Sequence, residues 1–144
     1  EYNVRMGDPE CQVILPRLKT DLVKIIINAV ENKLKHTKIL WKKSKCMTIV
    51  LCSNGYPGNY KKNKIIKNIE NIKLSKREFI FHAGTKIKDN QLLSNGGRVL
   101  NITSLGSNFS NIRNKIIKLI KKLNWKAGFY RKDIGWRAIR NENN

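Results

Sequence analysis

Met47-Thr48-Ile49-Val50-Leu51 reads as a strand, and it runs into Ser53-Asn54-Gly55-Tyr56-Pro57-Gly58-Asn59-Tyr60. Two glycines and a proline within those eight residues turn the backbone sharply. Further on, Glu78-Phe79-Ile80-Phe81-His82 is strand-like, and Lys88-Asp89-Asn90 is a turn. Ser94-Asn95-Gly96-Gly97 is a second tight turn that leads into a strand from Arg98 to Ile102. Ser107 can cap a helix whose Ile112, Ile116, Leu119, Ile120 and Leu123 share one face. Strands outnumber helices after residue 45 and do not alternate regularly with them, which points to an α+β fold and away from a doubly wound sheet.

Toward the amino terminus the pattern changes. Leu18, Leu22, Ile25, Ile26, Ala29, Val30 and Leu34 form an apolar stripe over a helix from Leu18 to about Lys35, with Thr20 or Asp21 as its cap. The Ile-rich part of that stripe is expected to be core. Residues 36–45 read as a connector. Residues 1–6 alternate as a strand, with Glu1, Asn3 and Arg5 on one face and Tyr2, Val4 and Met6 on the other, ended by Gly7-Asp8-Pro9.

The 144 residues carry 30 Lys plus Arg against 10 Asp plus Glu, a net charge of +20. A hydrophobic fraction of 40% is enough for a core and argues against disorder. No apolar run approaches the ~20 residues that span a bilayer. Three cysteines without a Cys-x-x-Cys spacing, beside two histidines, argue against a disulfide framework or a zinc site and fit a reducing cytoplasm. The charge by itself points to nucleic acid. Yet 22 of the 30 bases are Lys, scattered along the chain in company with 18 Asn and 19 Ile. Together these suggest a compositional bias filling tolerant surface positions, with a real anion-binding field as the alternative.

Chemistry concentrates near the start. On a strand, Glu1, Asn3 and Arg5 line one face at ~6.6–7 Å per two residues. A carboxylate and an amide oxygen so placed can share a hard cation, and the Arg can reach a phosphoryl group; an ordinary polar strand face has the same pattern. The turns Gly55-Tyr56-Pro57-Gly58 and Asn95-Gly96-Gly97-Arg98 can line an anion site with backbone N–H groups, with Arg98 as a clamp, or can simply use glycine for its backbone freedom. Arg131, Lys132, Asp133, Trp136 and Arg137 read as a structural network with Asp133 pairing an Arg and Trp136 packed. His82 reads as packed and hydrogen-bonded, and Cys11, Cys46 and Cys52 as small apolar residues.

Glu1-Tyr2-Asn3-Val4-Arg5-Met6-Gly7-Asp8-Pro9-Glu10 followed by Cys11-Gln12 resembles the metal-binding segment of the ATP-grasp ligases, and most closely the phosphoribosylamine–glycine ligase family. The resemblance continues through residues 15–22 and Gly55-Tyr56-Pro57-Gly58-Asn59-Tyr60. It extends to Phe81-His82-Ala83-Gly84-Thr85, Ser94-Asn95-Gly96-Gly97-Arg98-Val99-Leu100 and residues 130–138. It implies the last strand and helix of an ATP-grasp domain (residues 1–40), followed by a small β-rich carboxy-terminal domain of the rudimentary hybrid-motif type (residues 41–144) with one or two helices. It also implies a cytoplasmic enzyme of purine synthesis that joins glycine to 5-phosphoribosylamine, with ATP as co-substrate and glycyl phosphate as intermediate. Carried over by position, Glu1 and Asn3 are Mg²⁺ or Mn²⁺ ligands and Arg5 sits beside the phosphoryl groups. Asp8 and Arg98 are substrate-side candidates, with Glu10 in support.

The Gly-rich phosphate loop, the ATP-holding lysines and the amino-terminal substrate domain of that family have no counterpart in these residues. The chain is therefore expected to be a carboxy-terminal part that packs on missing portions and does not catalyse ligation alone. The competing reading is a small basic nucleic-acid-binding module, whose affinity would fall steeply with salt.

Overall fold

In the computed structural model, which describes residues 4–142, two long strands with apolar patterns form the centre of the main sheet. The elements in chain order are α1 (Cys11–Arg17), α2 (Leu22–Val30), β1 (Lys45–Ser53), β2 (Glu78–His82), β3 (Thr85–Lys88), β4 (Gln91–Ser94), β5 (Arg98–Gly106), α3 (Phe109–Leu123), β6 (Gly128–Phe129) and α4 (Trp136–Glu142). A 3₁₀ turn covers Leu34–His36. This is a small α+β architecture. The main sheet has the order β2-β5-β1-β6 with antiparallel pairing throughout, and β3 and β4 form a separate hairpin.

Register follows from the alternation along β1. Met47, Ile49 and Leu51 are buried while Thr48, Val50 and Cys52 are only partly covered. Ile49 stands opposite Ile102 and Leu51 opposite Leu100, so one face of the β1–β5 pair is continuous hydrocarbon. Onto it packs α3, whose Ile112, Ile116, Leu119, Ile120 and Leu123 are all buried. The other face is partly covered by α1, which packs on β1 and β5. Being central and covered on both faces, β5 is buried from Val99 through Leu105.

Turn and cap chemistry agrees locally. Asp89 and Asn90 both adopt left-handed backbone (φ 49° and 56°), as a two-residue hairpin between β3 and β4 requires. α3 begins at Asn108, whose Oδ1 accepts the Asn111 N–H at 2.8 Å, one residue after the expected Ser107 cap. It ends on Asn124 in left-handed conformation. Asp21 caps α2 by accepting the Lys24 N–H at 3.0 Å. Thr20 instead accepts the Leu40 N–H at 2.7 Å, tying the start of α2 to the connector.

Five expectations are corrected. The strand expected over residues 1–6 lies partly outside the described residues, and its described part, 4–6, is bend and coil; a strand needs a neighbour to complete its ladder, and no described strand runs beside it. The helix expected from Leu18 to Lys35 is shorter, and a separate α1 precedes it, with Pro16 buried inside its last turn. The α2 stripe is not core: no residue of α2 is buried, and Val23, Ile26 and Val30 are 62%, 52% and 79% exposed. The apolar spacing that forms a helix does not say what covers it. Trp136 is half exposed, with the Arg137 guanidinium 5.3 Å from its ring centre, and His82 is exposed, its Nδ1 3.0 Å from Thr85 Oγ1.

The tail is fastened at both ends. The Arg113 fork donates to the carbonyls of Lys132 and Ile134. The Glu142 carboxylate accepts the Phe109 N–H at 2.6 Å, at the open end of α3, and a hydrogen bond from Lys45 Nζ. The Lys45 hydrogen bond holds the Glu142 carboxyl below its ordinary value. A lowered carboxyl contributes stability that is present above the ordinary carboxylate range and lost as pH falls through the lowered value. Acidification should therefore release α4 before the sheet melts, and amide exchange across residues 136–142 should rise first. Glu142→Gln should remove that pH dependence. Separately, Ile116→Ala should destabilise the chain by about 2–5 kcal/mol, read from its urea midpoint.

Candidate functional site

Three of the blocks singled out in the sequence, those around residues 7–12, 55–60 and 94–98, meet where β1 ends and β5 begins. Gly7-Asp8-Pro9-Glu10 forms a turn in which the Glu10 carboxylate accepts the Gly7 N–H at 2.9 Å. The Cys11 N–H then bonds the Gly7 carbonyl at 2.9 Å and opens α1. Arg98, the first residue of β5, reaches this turn. Its Nη1 donates to the Asp8 carbonyl at 2.7 Å, and its Nη2 lies 3.4 Å from the Asp8 carboxylate. Gln12 adds a bond from its amide to Asp8 Oδ1 at 3.0 Å. Asp8 and Arg98, ninety residues apart, are thus brought together. Both remain about 40% exposed, so the charge pair contributes little by itself, and the bond to the carbonyl is the firmer hold.

Arg98 is aimed by the two glycine turns. The Ser53 N–H and hydroxyl bond the carbonyls of Gly97 and Gly96, at 2.8 and 2.9 Å. The Tyr56 ring lies directly on Gly97: a methyl group there would come 2.0 Å from Tyr56 Cδ2. Gly55 adopts φ 96°, and a Cβ on it would stand 2.1 Å from the Asn59 carbonyl oxygen. Here the glycines serve close packing as well as turning, which their spacing alone left open.

Beside this junction is an apolar cavity of about 460 Å³. Its floor is Thr48, Val50 and Cys52 of β1; Pro9, Tyr56 and Pro57 make one wall, and Phe129, Arg131 and Ile134 the other. Burial pushes the Cys52 thiol above its ordinary value, partly opposed by Arg98. Burial likewise pushes Cys46 up to about 11, so neither thiol is an activated nucleophile near neutral pH.

Of the expected site residues, Glu1 and Asn3 lie outside the described residues, and Arg5 is exposed in the bend that follows them. Among the described residues no cluster of three or more His, Cys, Asp or Glu side chains is placed to hold a metal. Arg131 pairs with Asp133 through two bonds, 3.1 and 2.6 Å, on the surface. Sequence reasoning missed Arg113 and the seating of Tyr56 on Gly97. No local pattern marks a side chain that bonds carbonyls 19 and 21 residues away.

The same fold is also found as part of a known ligase. The chain superposes on the crystal structure of phosphoribosylamine–glycine ligase from Thermotoga maritima with a TM-score of 0.68 and 33% identity, covering 92% of this chain and 32% of that one. Residues 46–137 match the family described as phosphoribosylglycinamide synthetase, C domain, and the chain belongs to that family. Curated relatives named phosphoribosylamine–glycine ligase include those of Brucella melitensis (41% identical over 142 residues) and Agrobacterium fabrum (45% over 142), each alignment covering 99% of this chain and 33% of the relative. The chain spans about a third of the length of the curated relatives it matches.

The Tyr56–Gly97 contact generates a direct test. Gly97→Ala should destabilise by about 1–3 kcal/mol through overpacking. In a Tyr56→Ala background the same change should cost much less, giving a clear coupling energy in a double-mutant cycle.

Proposed function

We propose that this chain is the carboxy-terminal portion of an ATP-dependent ligase that joins glycine to 5-phosphoribosylamine, giving glycinamide ribonucleotide, ADP and phosphate by way of glycyl phosphate. The observation that carries this reading is a match over nearly the whole chain to proteins bearing that enzyme's name, at 41–45% identity. In this reading residues 1–40 end an ATP-grasp domain and residues 41–144 form the carboxy-terminal domain. The complete enzyme works in the cytoplasm on glycine, 5-phosphoribosylamine and ATP. The exposed apolar face of α2 supports packing on the remaining two thirds of the polypeptide, since an unpartnered stripe of that kind marks an interaction surface. No helix among the described residues is long and apolar enough to cross a membrane.

The roles follow the chemistry of the side chains. Glu1 and Asn3 offer a carboxylate and an amide oxygen, the hard donors that suit Mg²⁺ or Mn²⁺, an ion that when bound neutralises ATP phosphates. Arg5 offsets the charge that develops as the phosphoryl group transfers to the glycine carboxylate. Asp8 and Arg98 face the substrate side. Arg98 has five N–H donors, of which two groups hold Asp8, so it fixes the turn and keeps donors for a ligand.

In the complete polypeptide, glycine- and phosphoribosylamine-dependent ADP formation should be measurable. Glu1→Gln or Asn3→Ala should reduce it at least a hundredfold and weaken its metal dependence. The 144-residue chain alone should show no such turnover. A complete protein that binds nucleic acid with a steep salt dependence but forms no ADP would overturn the proposal in favour of the basic-module reading.

A further inference from the structure

The apolar cavity beside the Asp8–Arg98 junction has no assigned use. Its size, about 460 Å³, falls in the range of ligand pockets. Small-molecule pockets also present several convergent polar groups to orient the ligand, and here the exposed lining is almost entirely hydrocarbon. The Thr48 hydroxyl donates to the Ile102 carbonyl at 3.3 Å and accepts from Thr103 at 2.7 Å. Arg131 gives its Nε and one Nη to Asp133. Most of the lining is hydrocarbon: Val50, Pro9, Pro57, Phe129, Ile134 and the ring of Tyr56. Such a surface is covered by apolar side chains, not by a phosphorylated metabolite.

We propose that this cavity is a socket for apolar side chains of the polypeptide that completes the longer protein. Roughly two thirds of each relative's length lies outside the matched region, which supplies the occupant. The wall formed by Pro9 is continuous with the turn that Arg98 clamps, so an occupied socket packs directly against that turn. The proposal rests on the preceding section only in supposing that the chain is part of a longer polypeptide.

Cys52 on the cavity floor reports occupancy without any engineered probe. N-ethylmaleimide labelling, followed by peptide mapping of Cys52, is to be compared at one pH in the 144-residue chain and in the complete protein. Labelling is expected to be at least tenfold slower in the complete protein, and Val50→Asp there should restore most of the rate. Should that variant chain lose its own thermal transition, Val50→Thr tests the same point with the shape retained. Equal labelling rates in the two proteins would overturn the socket. So would slowing in the isolated chain as its concentration rises, which means a second copy fills the cavity, or on adding ATP, glycine or 5-phosphoribosylamine, which means a metabolite does. Since labelling needs no turnover, a protein lacking ligase activity but protecting Cys52 would sink the functional reading and leave the socket standing.

Discussion

The apolar stripe of α3 can be buried in only one place, the face where Ile49 and Leu51 of β1 stand opposite Ile102 and Leu100 of β5. Each such side chain contributes roughly 1.5–3 kcal/mol on burial, so five of them on one helix dominate the local energetics. With β5 held on that face, β2 and β1 pair on its two sides. The turn entering β5 is then fixed as well, and Arg98 stands at its first position. The charged junction is a consequence of hydrocarbon packing on the opposite face of the same two strands.

What could be read from the sequence follows from this. The period-two alternation in residues 47–51 and the 3.6-residue spacing from Ile112 to Leu123 describe elements that find their partners within the chain, and both were legible to within a residue or two. The α2 stripe was just as regular, yet none of its residues is buried. Periodicity records that a face is apolar and carries no information about whether its partner belongs to the same 144 residues. Helix α1 was missed because its seven residues include Pro16, which has no N–H to donate to the Gln12 carbonyl and so weakens the local helical signal. At the site, the residue blocks were legible as blocks, but their convergence was not. Asp8, Tyr56 and Arg98 meet because of strand order, which no local pattern encodes.

The two kinds of base are used differently. Arg98, Arg113 and Arg131 each make a two-point contact with carbonyls or a carboxylate, a geometry suited to the planar fork. Lysines serve more often as exposed charge, though Lys33, Lys42 and Lys45 reach Glu31, the Pro16 carbonyl and Glu142. The net charge of +20 therefore says less about partners than the placement of a few guanidinium groups.

The Arg98 clamp also has a consequence in time. A ribosome delivers Asp8 ninety residues before Arg98, and closing a loop of that length is slow compared with forming a local turn. The turn at residues 7–10 can close on itself early through Gly7, Glu10 and Cys11. It acquires its lateral restraint only after β5 has emerged and paired with β1. During synthesis that turn waits for its partner, and its final geometry is set by a strand made ninety residues later.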